Sequence, residues 1–512
     1  MSHNFFSLPF LLCSILFFIT ILKLVIRSFR SIVRGRKVVK LPPGPWRLPI
    51  IGSVHHLGGS LPHRRMRELS EKYGPLIHLQ MGGMSTVVVS SAETAKQVLK
   101  TKDHIFGQRP LLSISDVLFY GPSNIVMSPT GDYWKLIRKI CSHQLLNATR
   151  VRSFQSVREE EASSLMRCLY AEAGSPVNLT QKIFATACRI ASRSAFGENN
   201  IKHDNGREEE AMMWLCDAIT SLSHGISDLF PSQKWLQVVT GARRRYEELR
   251  QKMDVVLENI IADHDGAAGG QGGEEEKDCL LTVLLNLERR GDLTIDNVKA
   301  VILDVILGAF EPASRLVEWA MAEMVRKPTI MKRAQEEVRQ VFKTKGYIDE
   351  TSIEELEYLK GVIKETLRLH PPAPLLAPRE CTKTCEISGF TIPKGTQVLV
   401  NVWAIGRDSK YWNSSSSLSD AEEFVPERFM NSCVDYRGSN FEYIPFGAGK
   451  RVCPGMLFGP VVGEILLANL LCYFDWDLPS GTTPKTLDMT ELMGSTVRKK
   501  DNLILIPIPH RN

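Results

Sequence analysis

Phe446-Gly-Ala-Gly-Lys-Arg-Val-Cys453-Pro-Gly455 sets one cysteine in a glycine-rich loop beside two cations, Lys450 and Arg451. Fixed positive charge and free backbone N–H groups favour a thiolate over a thiol, because the anion is paired and hydrogen-bonded. Gly447, Gly449 and Gly455 let the backbone turn sharply and come close to a flat partner, and Pro454 stiffens the exit. The apolar run that follows (Met456, Leu457, Phe458, then Val461 to Leu471) predicts a buried helix starting at the loop. A thiolate at a helix N-terminus under a planar ligand is the way a protein offers one axial sulfur to haem iron. The competing reading is an inert buried cysteine in a turn. Agreement along the whole stretch favours Cys453 as the metal ligand.

Outward from this loop, the chain has 512 residues and 11 cysteines, with no CxxC pair and no Cys/His zinc spacing. An odd, irregular cysteine set points to a reducing compartment and away from a disulfide framework. The N-terminus differs in kind. Phe5 to Leu22 is almost unbroken apolar sequence, long enough to cross a bilayer once. Lys23, Arg27, Arg30, Arg34, Arg36, Lys37 and Lys40 follow it, and no cation precedes it. This charge order predicts an uncleaved signal anchor (1–22) with the rest of the chain cytosolic. Taking those seven cations from the 63 Lys and Arg leaves 56 against 57 Asp and Glu. The body is about neutral, which excludes a basic nucleic-acid footprint. The sequons at Asn147, Asn178 and Asn413 are expected to go unused on a cytosolic body.

Residues 23–52 form a basic flank and a proline-rich hinge (Leu41-Pro-Pro-Gly-Pro-Trp46), a stiff connector expected to set the angle between anchor and body. Residues 53–512 are then one catalytic domain. Leu76 to Ser91, broken by Gly82-Gly83, predicts a hairpin, and Cys385 to Val400 a second strand-rich patch. Most of the remainder has helical periodicity. Asp263 to Asp278 is polar and Gly-rich and is expected to be a surface loop, as is the serine-rich 413–419 stretch. Glu365-Thr-Leu-Arg368 puts an acid and a guanidinium on one helix face, where they can pair. Pro426-Glu-Arg428-Phe429 adds a later arginine. Trp134-Lys-Leu-Ile-Arg138 offers an indole N–H and a guanidinium on one face, both donors suited to a carboxylate.

Together these motifs resemble the cytochrome P450 family, from the proline hinge to Val497, and their order and spacing look like the plant microsomal A-type group. The resemblance implies a mainly α-helical body with small β-sheets and haem b as cofactor. It also implies Cys453 as axial ligand, with Trp134, Arg138, Arg379, Phe446 and Arg451 as further haem contacts. Glu365, Arg368 and Arg428 would interlock as a structural brace. It implies NADPH–cytochrome P450 reductase as electron donor, with cytochrome b5 as an additional one, docked where Lys139 and Lys450 contribute positive charge. The expected location is the endoplasmic reticulum membrane. The expected reaction is monooxygenation of a small apolar plant specialised metabolite such as a terpenoid, alkaloid or phenolic. The substrate pocket would draw on Leu111 to Val126, Met212 to Leu236, Ile302 to Pro312, Ala373 to Ala377 and Leu492 to Ser495.

One segment departs from the family pattern. Ala300 to Trp319 resembles the helix that crosses the oxygen face of haem, where the family has Ala/Gly-Gly-x-Asp/Glu-Thr. Here the residues are Gly308-Ala309-Phe310-Glu311-Pro312. The acid survives as Glu311, while Pro312 replaces the relay threonine and has neither hydroxyl nor N–H. Proline is expected to break the bond to the Gly308 carbonyl and keep the groove as a kink. Phe310 is expected either to narrow the pocket or to pack outside the helix. Three chemical outcomes compete. Ser314, a water or a substrate hydroxyl supplies the proton, and the enzyme remains an oxygenase; or desaturation, oxidative cyclisation or C–C coupling results; or an oxygenated substrate rearranges without O2. The rivals are a degenerate haem protein with poor activity and, from another class, a non-catalytic membrane-tethered haem-binding protein.

Overall fold

The computed structural model describes residues 40–510 except 111, 198–206, 221–225, 269–278, 346–347, 414–419 and 495. The expected anchor and most of its basic flank lie outside these residues, as does most of the serine-rich stretch. No helix among the described residues is long and apolar enough to cross a membrane.

Helix α1 (Pro62–Tyr73) precedes a hairpin of β1 (Leu76–Met81) and β2 (Met84–Val89), paired from Leu76↔Val89 to Met81↔Met84. The hairpin is where the alternation and the Gly82-Gly83 turn predict it. The proline segment is laid against β1: His78 N–H donates to Pro43 O at 2.8 Å and Ser53 N–H to Gln80 O at 2.6 Å. A Cβ on Gly44 would stand 2.0 Å from His78 O, so only glycine permits this approach. The segment is thus fastened to the body from Pro43 to Ser53 and does not swing as a free linker.

Next come α2 (Asp132–Cys141), α3 (Gln155–Ala171) and α4 (Leu179–Phe196). Two of the sequons serve the backbone: Asn147 accepts from Arg150 N–H, and Asn178 caps α4 by accepting from Gln181 N–H. A helix over Ala242–Ala268 runs into the stretch expected to be a Gly-rich loop from Asp263, taking in Gly266 and ending before Gly269. Beyond it lie α5 (Ile295–Val305), a π-helical turn over Ile306–Phe310, α6 (Glu311–Arg326), α7 (Pro328–Lys345) and α8 (Glu357–Leu369).

The second strand-rich patch resolves into β3 (Arg379–Glu380), β4 (Cys385–Ile387), β5 (Phe390–Ile392) and β6 (Gln397–Val400). Strand β6 runs parallel to β2, with Thr86 opposite Gln397, and β3 closes that sheet in the order β1-β2-β6-β3. β4 and β5 form a separate pair. After the cysteine loop, α9 (Phe458–Tyr473) leads to the hairpin of β7 (Glu491–Met493) and β8 (Val497–Lys499).

Helices α6 and α9 form the centre of the core. Both are buried nearly all round, the sign of an interior helix. They touch at Gly463, where a Cβ would meet Leu316 Cδ2 at 2.9 Å. Nine cysteines among the described residues are free thiols.

Candidate active site

The cysteine loop is closed by its own backbone. Cys453 N–H donates to Phe446 O at 2.9 Å, and Gly447 (φ +71°) and Gly449 (φ +74°) turn the chain through left-handed conformations. A Cβ on Gly449 would fall 2.0 Å from Leu99 O, so glycine is required there. The Phe446 ring packs against Tyr436 at 5.1 Å.

Two expectations about the sulfur need correction. Helix α9 begins at Phe458, so a turn separates Cys453 from the helix N-terminus, and the N–H that reaches the sulfur is that of Gly455. Nor do the two flanking cations sit on it. Arg451 donates to Gly107 O (3.0 Å), Ile125 O (3.3 Å) and Ser128 O (2.6 Å), and Lys450 lies along Gly107. Burial pushes the Cys453 thiol up, opposed by the Gly455 N–H and the charge of Arg138. The reason is geometric: successive residues of a tight loop point apart, so neighbours in sequence are not neighbours of the sulfur.

Those arginines gather elsewhere. Trp134 and Arg138 share one face of α2, with the Arg138 guanidinium 5.6 Å from the indole centroid and that of Arg451 4.1 Å from it. Trp134 Nε1 donates to Ile125 O (3.2 Å) and Arg138 to Val452 O (2.7 Å). Arg379 donates to Asp103 (2.9 Å) and to Ala448 O (3.0 Å). Arg109, which the sequence reading missed, joins them and donates to the carbonyls of Val126, Ala377 and Pro378. Burial first, then repulsion from Arg451, Arg379 and Arg138, holds Arg109 well below the ordinary guanidinium range. Arg451 is pushed down to about 10 by burial and by Arg379 and Arg138.

Asp103 is the one carboxylate bonded to this group among the described residues. Three buried arginines and the half-buried Arg138, balanced by one anion, are unstable unless further negative charge is bound. A dianion carrying two carboxylates on a flat body fits this donor set, and haem with its propionates is such a body.

The brace is assembled as its motif implies. Arg368 pairs with Glu365 through two bonds of 2.7 Å, both side chains fully buried. Arg428 approaches Glu365 at 3.4 Å and donates to the Trp412 carbonyl. Val425 N–H also donates to Glu365 at 2.8 Å. Both oxygens of this buried carboxylate are thus engaged.

On the other side of the core, the helix expected to run from Ala300 to Trp319 is two helices joined by the π-turn Ile306–Phe310. Pro312 falls in the first turn of α6, where a helix has no use for that N–H. The distortion expected from proline is therefore a π-turn before it. A Cβ on Gly308 would meet nothing within 4 Å, which marks open space beside the turn. Phe310 is buried and packs edge-to-face on Phe184 of α4 at 5.4 Å, so it faces away from that space.

Ser314, a candidate proton source, is otherwise engaged: its hydroxyl donates to the Glu311 carbonyl one turn back, at 2.8 Å. Glu311 is 1 % exposed, and its carboxylate accepts from Thr496 Oγ1 at 2.9 Å. Thr496 was missed because the sequence offers no sign that residue 496 meets residue 311. Asp304 was missed too. It accepts the N–H of Ile125, the residue whose carbonyl receives Trp134 and Arg451, and burial pushes its carboxyl up to about 7. Of the expected pocket segments, residues 111, 221–225 and 495 lie outside the described part.

Residues 42–506 match the family profile described as Cytochrome P450. The chain belongs to the cytochrome P450 family. It is 47% identical over 513 residues to desmethyl-deoxy-podophyllotoxin synthase of Sinopodophyllum hexandrum, covering 98% of this chain and 97% of that one. It is 44% identical to premnaspirodiene oxygenase of Hyoscyamus muticus, covering 98% and 99%. A zebra fish cytochrome P450 solved with progesterone superposes with a TM-score of 0.74 at 24% identity, over 88% of this chain and 100% of that one, which shows the fold. This P450 is an enzyme of the monooxygenase type, and its family implies haem as cofactor, a reductase partner and a small-molecule substrate. The reading as a haem-binding scaffold without turnover falls with that assignment.

Proposed function

We propose that this P450 is anchored in the endoplasmic reticulum membrane by residues 1–22 and oxidises a small apolar specialised metabolite. The substrate class is a terpenoid, alkaloid or phenolic. Electrons come from NADPH through cytochrome P450 reductase, with cytochrome b5 as an auxiliary donor, and the exposed Lys139 lies on the docking face. The observation that carries the reading is the pairing of a closed cysteine loop with a buried arginine cluster short of anions. Both features await the same flat, dianionic, sulfur-ligated group. Relatives named for premnaspirodiene oxygenation and for podophyllotoxin-type synthesis support the substrate class.

Cys453 would supply the sulfur ligand to haem, and Trp134, Arg138, Arg379, Arg451 and Arg109, which now donate to backbone carbonyls, would hold its propionates. Bound haem would supply the activation of dioxygen, with Cys453 bound to it as the thiolate. Glu311 is the acid on the oxygen side, and the π-turn at Gly308 and Ala309 is the groove beside it.

A second reading has its own observation. Neither helix hydroxyl is available, because Pro312 has none and Ser314 spends its own on a carbonyl. Weak proton delivery favours desaturation, ring closure or coupling over hydroxylation. A metabolite screen with reductase and NADPH, with and without O2, tests both readings: oxygenated products that vanish without O2 support the first. Pro312→Thr separates them further. If the proton path is merely weakened, product formed per NADPH rises about two- to five-fold. A change of product, or collapse of turnover, assigns proline to a different chemistry.

A further inference from the structure

The acid on the oxygen side has a hydroxyl partner, and it does not come from its own helix. Thr496 lies between β7 and β8, is 6 % exposed, and bonds Glu311 across 185 residues of chain at 2.9 Å. We propose that Thr496 is the positioning residue for Glu311, replacing from the C-terminal hairpin the hydroxyl missing at position 312. The proposal rests on the reading of Gly308 to Pro312 as the oxygen side.

Three features of the hairpin suit it to this role. It is fixed at Val497, the residue after Thr496. Val497 N–H donates to Pro372 O at 2.9 Å, and Trp319 Nε1, from α6 itself, donates to Val497 O at 3.4 Å. At the far end, Glu491 is held by His63 (3.1 Å) and Arg64 (3.0 Å). The helix that carries Glu311 and the turn that carries Thr496 are therefore locked to each other independently of the bond between them.

The bond is also of the right kind. A hydroxyl that donates to a carboxylate holds it in one orientation, and its own lone pairs remain open to accept from a water or a substrate hydroxyl. Finally, the alternatives on the helix are spent, as Pro312 and Ser314 show. The role needed is the placing of protons. Full reduction of O2 by two NADPH and two H+ gives two waters, whereas one NADPH and one H+ give hydrogen peroxide. A misplaced acid shifts the outcome towards peroxide.

The test uses full-length holoenzyme with reductase, NADPH and O2 and no organic substrate, reading peroxide released per NADPH oxidised. Thr496→Val keeps the shape and removes the hydroxyl; peroxide per NADPH should rise about three-fold or more at unchanged haem content. Thr496→Ser should restore the wild-type ratio. Glu311→Gln should raise the ratio, and the double variant should be no worse than Glu311→Gln alone, as for residues that act as a unit. Apart from turnover, amide hydrogen exchange across Gly494 to Lys499 should quicken in Thr496→Val and not in Thr496→Ser. Faster exchange with an unchanged peroxide ratio would make Thr496 a purely structural tie and overturn the proposal. Losses that multiply in the double variant would overturn it as well. An unchanged ratio in Glu311→Gln would instead bring down the oxygen-side reading beneath it.

Discussion

The two sides of the catalytic core are held by opposite means. On the thiolate side, arginines from four segments converge on backbone carbonyls, and burial first, then repulsion among them, drives Arg109 and Arg451 down. On the oxygen side, the buried acid Glu311 accepts from a hydroxyl of a distant hairpin, beside a turn with open space at Gly308. The first region awaits a partner of fixed charge and shape and is over-supplied with donors. The second has to place protons as well as bind, and a hydroxyl from a distant hairpin reaches its acid. A site that must only bind can be redundant; a site that must time a proton cannot, which is why substitution at position 312 changes the question asked of the enzyme.

Cys453→Ala should break the comparison outright. It removes the one sulfur in the loop, so the CO-bound spectrum should lose its thiolate-type Soret band while the fold persists by circular dichroism. Retention of that band would sink the assignment of the ligand. Next in size is Glu365→Ala. It leaves Arg368, fully buried, without its carboxylate, at a cost of about 3–5 kcal/mol, enough to unfold a marginal domain. Denaturant midpoints and haem content should fall together.

Arg109→Met sharpens the contrast more gently. Losing one charge-assisted donor of about 1.5–3 kcal/mol should weaken haem retention roughly ten- to hundred-fold, read by transfer of haem to a competing apoprotein. The oxygen side should be untouched, with peroxide per NADPH unchanged at equal haem loading.

Asp304 leaves activity aside and gives a pH signature in stability. Its folded value of about 7 stands above the ordinary 3.8 because of burial. Between those values the native chain keeps a proton that the unfolded chain has lost. Its contribution to stability therefore falls as pH rises from about 4 to about 7, by at most about 1.4 kcal/mol per pH unit. Asp304→Asn keeps an acceptor for Ile125 N–H and should flatten that slope in denaturant titrations.

Local sequence carried the hairpin at Leu76 to Val89, the buried helix α9 and the Glu365–Arg368 pair, because each depends on residues a few positions apart. It carried the place of Cys453 too, since the loop is closed by its own backbone. It misjudged what surrounds the sulfur, because adjacency along a tight loop says little about the direction of a side chain. Lys450 and Arg451 turn away, and Arg138, over 300 residues earlier, acts in their place. Ser314 was misjudged for a related reason: a serine inside a helix finds a carbonyl one turn back before it finds anything else. Arg109, Asp304 and Thr496 depend on tertiary contacts that no periodicity encodes.

The span between Glu311 and Thr496 also sets an order of events during synthesis. At about 5–20 residues per second, the ribosome makes the hairpin some 10–40 s after the helix that needs it. Cys453 and Arg451 emerge within the same late window. The nascent chain therefore spends that interval without the Thr496 contact to its acid, and for most of it without Cys453, so loading with haem waits until the cysteine loop has been made. A stop codon that removed only the last few dozen residues would leave a chain with almost its whole helical core and an oxygen face that never closes.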